Sequence, residues 1–90
     1  MSEKQSMPTT RSACSYNNKT ARSLIGQRGI PLQAMAAYPG LAEPLDGVLF
    51  ADAVRDFQVD CGQPRSHTDG KLGPMTWSRL LSKFEPVMPN

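Results

Sequence analysis

Asp69-Gly70-Lys71-Leu72-Gly73-Pro74-Met75-Thr76-Trp77 decides the fold, because it states a turn, a helix cap and a core anchor within nine residues. Asp-Gly is a strong turn dipeptide: glycine takes positive φ without steric cost, and the aspartate bonds its own backbone. Gly73 followed by Pro74 reads as N-cap and first helical position, where proline's missing N–H costs nothing and its φ is already helical. Trp77, Leu80, Leu81 and Phe84 then follow the i, i+3, i+4, i+7 rule of one helix face. Asp69, Gly70, Gly73 and Pro74 are thus turn and cap residues, with Thr76 in the first turn of the helix.

Upstream, Phe50, Ala53, Val54 and Phe57 repeat that spacing on a helix predicted from about Leu49 to Val59. It also follows an Asp-Gly pair, Asp46-Gly47. Turn and helix therefore recur as a degenerate internal repeat whose two stripes are expected to pack face to face. Phe50, Val54, Phe57, Trp77, Leu80, Leu81 and Phe84 form the predicted core. At about 2 kcal/mol per well-buried large side chain this is workable but thin for so short a chain.

The remaining sequence is punctuated. Ninety residues with seven glycines and eight prolines mean one domain of short elements joined by turns. Residues 1–19 are polar, without apolar periodicity, and are expected to be a flexible N-terminal arm. Thr20 is a candidate cap for a short turn through Ala21, Leu24 and Ile25, broken up by Gly26 and Gly29. Pro31 opens a short helix with Leu32, Met35 and Ala36 on one face, stopped at Pro39-Gly40. Cys61 to Thr68 reads as a polar loop, and residues 85–90, with Pro86 and Pro89, as a linker-like tail. The domain is expected to span residues 20–84, and no segment alternates strongly enough to be a strand.

The net charge of +2 is too small to demand nucleic acid, but it is uneven. Residues 1–40 carry five basic side chains against Glu3, whereas residues 41–90 carry five basic and seven acidic ones. A basic arm suits phosphate, an anionic glycan or an acidic partner, and equally a solvated tail. No stretch approaches the roughly 20 apolar residues that span a bilayer, and Met1 to Thr10 lacks the apolar region of a secretory signal. Cys14 and Cys61 either pair in an oxidising compartment or remain thiols.

Ala53-Val54-x-x-Phe57-Gln58, followed by Asp69-Gly70-x-x-Gly73-Pro74-x-Thr76-Trp77-x-x-Leu80, resembles the three-helix peptidoglycan-binding domain of bacterial and phage cell-wall hydrolases. The match covers residues 53–81. It implies an all-α, small three-helix bundle that binds wall polymer without doing chemistry, beside a catalytic domain; the linker-like tail leads to the expectation that this covalently linked hydrolase domain lies C-terminal to residue 90. It implies peptidoglycan as partner, a monomer, no cofactor, and action at the cell wall or periplasm. Delivery would be by phage lysis, by a secretion system, or by a leader outside this sequence. The chain departs from the family at Phe50, where a threonine is usual, and in a longer loop carrying Cys61, Arg65 and His67. A docking or assembly domain of the same fold is the alternative function.

Gln58, Arg65, His67, Asp69, Lys71 and Thr76 are the candidate ligand-binding residues. Gln58 either caps the loop by bonding backbone or faces an acetamido group. Lys71, at the turn tip, is either solvated or free to meet stem-peptide carboxylates. Trp77 begins the apolar stripe and so reads as core before sugar platform. One histidine and two distant cysteines do not make a zinc site. Cys61 and His67 share a loop that offers no rigid base or oxyanion hole, and Asp52, Asp56 and Asp60 form one solvated row rather than two opposed carboxylates. No catalytic residue and no metal site is expected.

Overall fold

The computed structural model describes residues 7–84, with side-chain surroundings from residue 11 onward. The first six residues of the expected arm and the tail at 85–90 lie outside the described residues. Helix α1 (Met7–Tyr16) runs through a π-helical turn (Asn17–Ala21) directly into α2 (Arg22–Ile25). Helix α3 (Leu32–Ala37) and a 3-10 turn (Pro39–Ala42) follow. Helix α4 (Val48–Asp60), a second 3-10 turn (Arg65–His67) and α5 (Pro74–Phe84) complete the described elements. The architecture is all-α, with no strand among the described residues. Counting residues 7–25 as one rod, the described residues form four rods rather than the expected three.

The clearest difference from expectation lies at residues 7–19, which are helical, with Ala13 and Asn17 buried. Ala13, Asn17, Ala21 and Ile25, four residues apart, are all buried, so they line one side of the rod. Two alanines and an asparagine give almost no apolar signal, which is why this stripe escapes a reading by hydrophobic periodicity. Thr20 caps nothing, since it sits inside the π-helical turn. The rod ends at Gly26, whose N–H bonds the Arg22 carbonyl.

Pro31 serves as the N-cap of α3, its carbonyl accepting from Ala34 and Met35. The expected face is also corrected: Ala34 is buried, Met35 packs against the core, and Leu32 and Ala36 are exposed. With six residues, α3 contributes one narrow contact rather than a full stripe. The chain then passes through the 3-10 turn, which buries Leu41. Gly40 makes that turn possible, because a Cβ there would stand 2.5 Å from the Leu49 carbonyl oxygen and 2.8 Å from Ala53 Cβ.

Phe50, Val54, Phe57, Trp77 and Leu80 share one buried cluster with Leu41 and Leu72, and half-buried Leu81 and Phe84 pack on it. The two helical stripes do not clasp each other along their length. Helix α4 packs most closely on the Pro39–Ala42 turn and α1, and α5 lies nearest to α3. Side chains bridge α4 and α5 instead: Phe57 and Phe84 rings lie 6.0 Å apart, and Tyr38 sets an edge against each, at 5.7 and 6.0 Å. Such edge contacts add about 0.5–1.5 kcal/mol each beyond area burial. The Tyr38 hydroxyl donates to the Asp60 carboxylate. Burial, then the bonded Asp60 carboxylate, pushes the Tyr38 phenol up to about 12.

Candidate functional site

The loop from Asp69 to Gly73 has little regular structure, so its backbone groups need partners from elsewhere. Two side-chain amides supply them. From α4, Gln58 accepts the Gly70 N–H through Oε1 at 2.9 Å. It donates through Nε2 to the Lys71 carbonyl at 3.1 Å and to Thr76 Oγ1 at 3.1 Å. From the other side, Asn17 donates to the Gly70 carbonyl at 3.0 Å and accepts the Leu72 N–H at 2.7 Å. Both amides are buried, and a carboxamide, offering donors and an acceptor at once, can stand in for a neighbouring peptide group.

Asp69 closes the turn internally, its Oδ1 accepting the Lys71 N–H at 3.0 Å, which is an Asx turn. Gly70, at φ +79°, lies against α4 so closely that a Cβ would meet the Ala51 carbonyl oxygen at 2.9 Å. Gly73 then caps α5, its carbonyl accepting the Trp77 N–H at 2.8 Å. Asn17 from the π-helical turn and Gln58 from α4 thus brace the loop from two sides.

Beside this loop lies an open cleft of about 310 Å³, whose walls include Tyr16, Gln63, His67, Lys71, Pro74 and Met75. Of the predicted ligand-binding residues, Gln58, His67, Asp69, Lys71 and Thr76 all border it. Gln58 and Thr76 do so from beneath: both are buried and bonded to each other, and Gln58 is committed to the loop backbone. Arg65 lies apart from them, outside the lining of this cleft. It is exposed on its short turn, where its carbonyl accepts the Thr68 hydroxyl at 2.8 Å. His67 is exposed, and its carbonyl accepts the Gln63 amide at 3.3 Å.

Lys71 is half-buried, with its ammonium 5.6 Å from the centroid of the Tyr16 ring, within reach of a cation–π attraction. No carboxylate pairs with it among the described residues. The cleft therefore joins one cation, the Asp69 carboxylate, an aromatic ring, a thioether and several amide or imidazole groups. That set suits hydrogen bonding and shape recognition. Trp77 is buried in the core and leaves the cleft to Tyr16.

Sequence reasoning missed Tyr16, Asn17, Gln63 and Met75. The first two lie in the segment read as an arm. Counting alanine as a core residue exposes them, since Asn17 sits midway between Ala13 and Ala21. Gln63 and Met75 carry no local signal. Cys14 and Cys61 are free and half-buried. No group of three or more metal-ligating side chains occurs among the described residues, and no helix there is long and apolar enough to cross a membrane. Comparison with protein-family models, with curated proteins and with solved structures gave no match.

Proposed function

We propose that this chain is a non-catalytic peptidoglycan-binding module that holds an attached or associated hydrolase or effector on the cell wall. One observation carries the reading: Asp69, Lys71 and Gly73 to Thr76, within the motif that bears the resemblance, also line the cleft on a braced loop, so they meet a ligand already ordered. Preordering matters because immobilising a loop on binding costs affinity. Lys71 supplies a positive charge for murein carboxylates, and exposed His67 adds a hydrogen-bonding group. A cleft of this size gives weak single-site affinity, micromolar or poorer. An insoluble, repetitive polymer compensates by holding a tethered enzyme at high effective concentration.

The test is retention of the 90-residue chain on purified insoluble sacculi, with cellulose as control. Binding to sacculi alone is the expected result, and Lys71→Ala should weaken it while the helical circular dichroism is unchanged. Equal retention on both polymers, or on neither, sinks the reading. A docking domain of the same fold is the second reading, favoured by the exposed neighbours Val48 and Leu49 at the start of α4.

A further inference from the structure

The motif's own aromatic is out of reach, since Trp77 is only 8% exposed. The aromatic at the cleft comes instead from α1. Tyr16 is half-buried, its hydroxyl lies over Gly73 (2.7 Å from where a Cβ would stand), and its ring lies near the Lys71 ammonium. Pro74 and Met75 extend the apolar wall, both exposed at the start of α5. Gln63 and His67 complete the lining with polar groups.

We infer that Tyr16 is the ligand-facing aromatic of this chain and that the cleft takes an N-acetylhexosamine unit of a glycan. This rests on the wall-binding reading and narrows it to the sugar strand. A pyranose has an apolar C–H face that covers an aromatic ring, an acetamido methyl that seeks apolar surface, and hydroxyls that need planar polar partners at the rim. The cleft offers those three kinds of surface together. A peptide bound in extended form needs unpaired backbone edges. Here both backbone groups of Gly70, and the Leu72 N–H, are already taken by Gln58 and Asn17. The volume, about 310 Å³, is at the lower end for small-molecule sites and accommodates a sugar ring more readily than a branched peptide.

The experiment titrates the full 90-residue chain with chitotetraose, which carries the acetamido sugar without any peptide, and in parallel with a soluble stem peptide. Amide and ring chemical shifts are followed by NMR. Chitotetraose is expected to move Tyr16 and residues 71–76, whereas the stem peptide leaves the Tyr16 ring unmoved. Tyr16→Phe should keep the affinity within about twofold. Tyr16→Leu, which preserves apolar bulk without a ring, should lose about tenfold, the size of one aromatic contact. Retention on sacculi without any response to chitotetraose would overturn the sugar assignment while leaving wall binding intact. Absence of both would remove the wall-binding reading itself. Undiminished chitotetraose affinity in a folded Tyr16→Leu variant would exclude Tyr16 as the contact.

Discussion

Asp46-Gly47 and Asp69-Gly70 are the same dipeptide, each followed by a helix with the same apolar spacing, yet the structure uses them differently. Gly47 is itself the N-cap of α4, extended at φ −99°, with its N–H on the Pro44 carbonyl at 3.0 Å and α4 beginning at the next residue. Gly70 stands three residues before the cap of α5, at φ +79°, pressed on α4 and gripped by two buried amides. The first is a local turn. The second is a loop assembled by residues 12 and 53 positions away, and the cleft lies beside it. Equal local sequence therefore does not mean equal dependence on the rest of the chain.

That contrast is sharpest at the glycines. Gly70→Val should destabilise by about 3 kcal/mol or more, combining left-handed strain with a clash against the Ala51 carbonyl. Gly47→Ala should cost about 1 kcal/mol or less, because its φ is ordinary and alanine is merely a poorer cap. Urea denaturation of the two variants measures the gap; similar midpoints would erase the distinction between the turns. Next come the amides. Asn17→Leu and Gln58→Leu should each cost about 2–3 kcal/mol by leaving buried loop groups unpaired. Hydrogen exchange should show the Leu72 amide deprotected in the first variant and the Gly70 amide in the second, with α4 still protected in both. If the Leu72 amide stays protected without Asn17, the loop holds itself and the comparison loses its physical basis.

Smaller effects separate the aspartates. Asp69→Ala removes the bond to the Lys71 N–H and should cost about 1 kcal/mol, whereas exposed Asp46→Ala should change stability by less than about 0.5 kcal/mol. Thermal melts of the pair give the order. Tyr38 touches both helical stripes, so its titration probes what they share. Its folded pKa is raised from 10.0 to about 12, so the stabilisation is complete below pH 10 and is lost as pH rises towards 12. Tyr38→Phe should flatten that alkaline decline. A decline of unchanged slope in the variant would assign it to other groups.

Much of α4 and α5 was legible because large apolar residues at helical spacing leave few alternatives, and Gly73-Pro74 marks a helix start almost by itself. Gln58 was legible only as a pair of options, since the same amide serves a loop or a ligand according to what stands opposite. The α1 rod was not legible: Ala13, Asn17 and Ala21 become a core stripe only when α4 and the 69–73 loop supply surfaces shaped for small side chains. The expected face-to-face clasp failed for a related reason, as spacing fixes which side of a helix is buried but not which neighbour buries it.

By itself the sequence determined where α4 and α5 form, which faces they bury and how α5 begins, since these follow from residue-level sterics and hydrophobic period. Only the tertiary structure decided that Ala13, Asn17 and Ala21 are buried, that Asn17 and Gln58 hold the loop, and that Tyr16 rather than Trp77 borders the cleft. Those outcomes depend on hydrogen bonds and close contacts between residues far apart in the chain. Their energies exist only once the surrounding helices have excluded water from both partners.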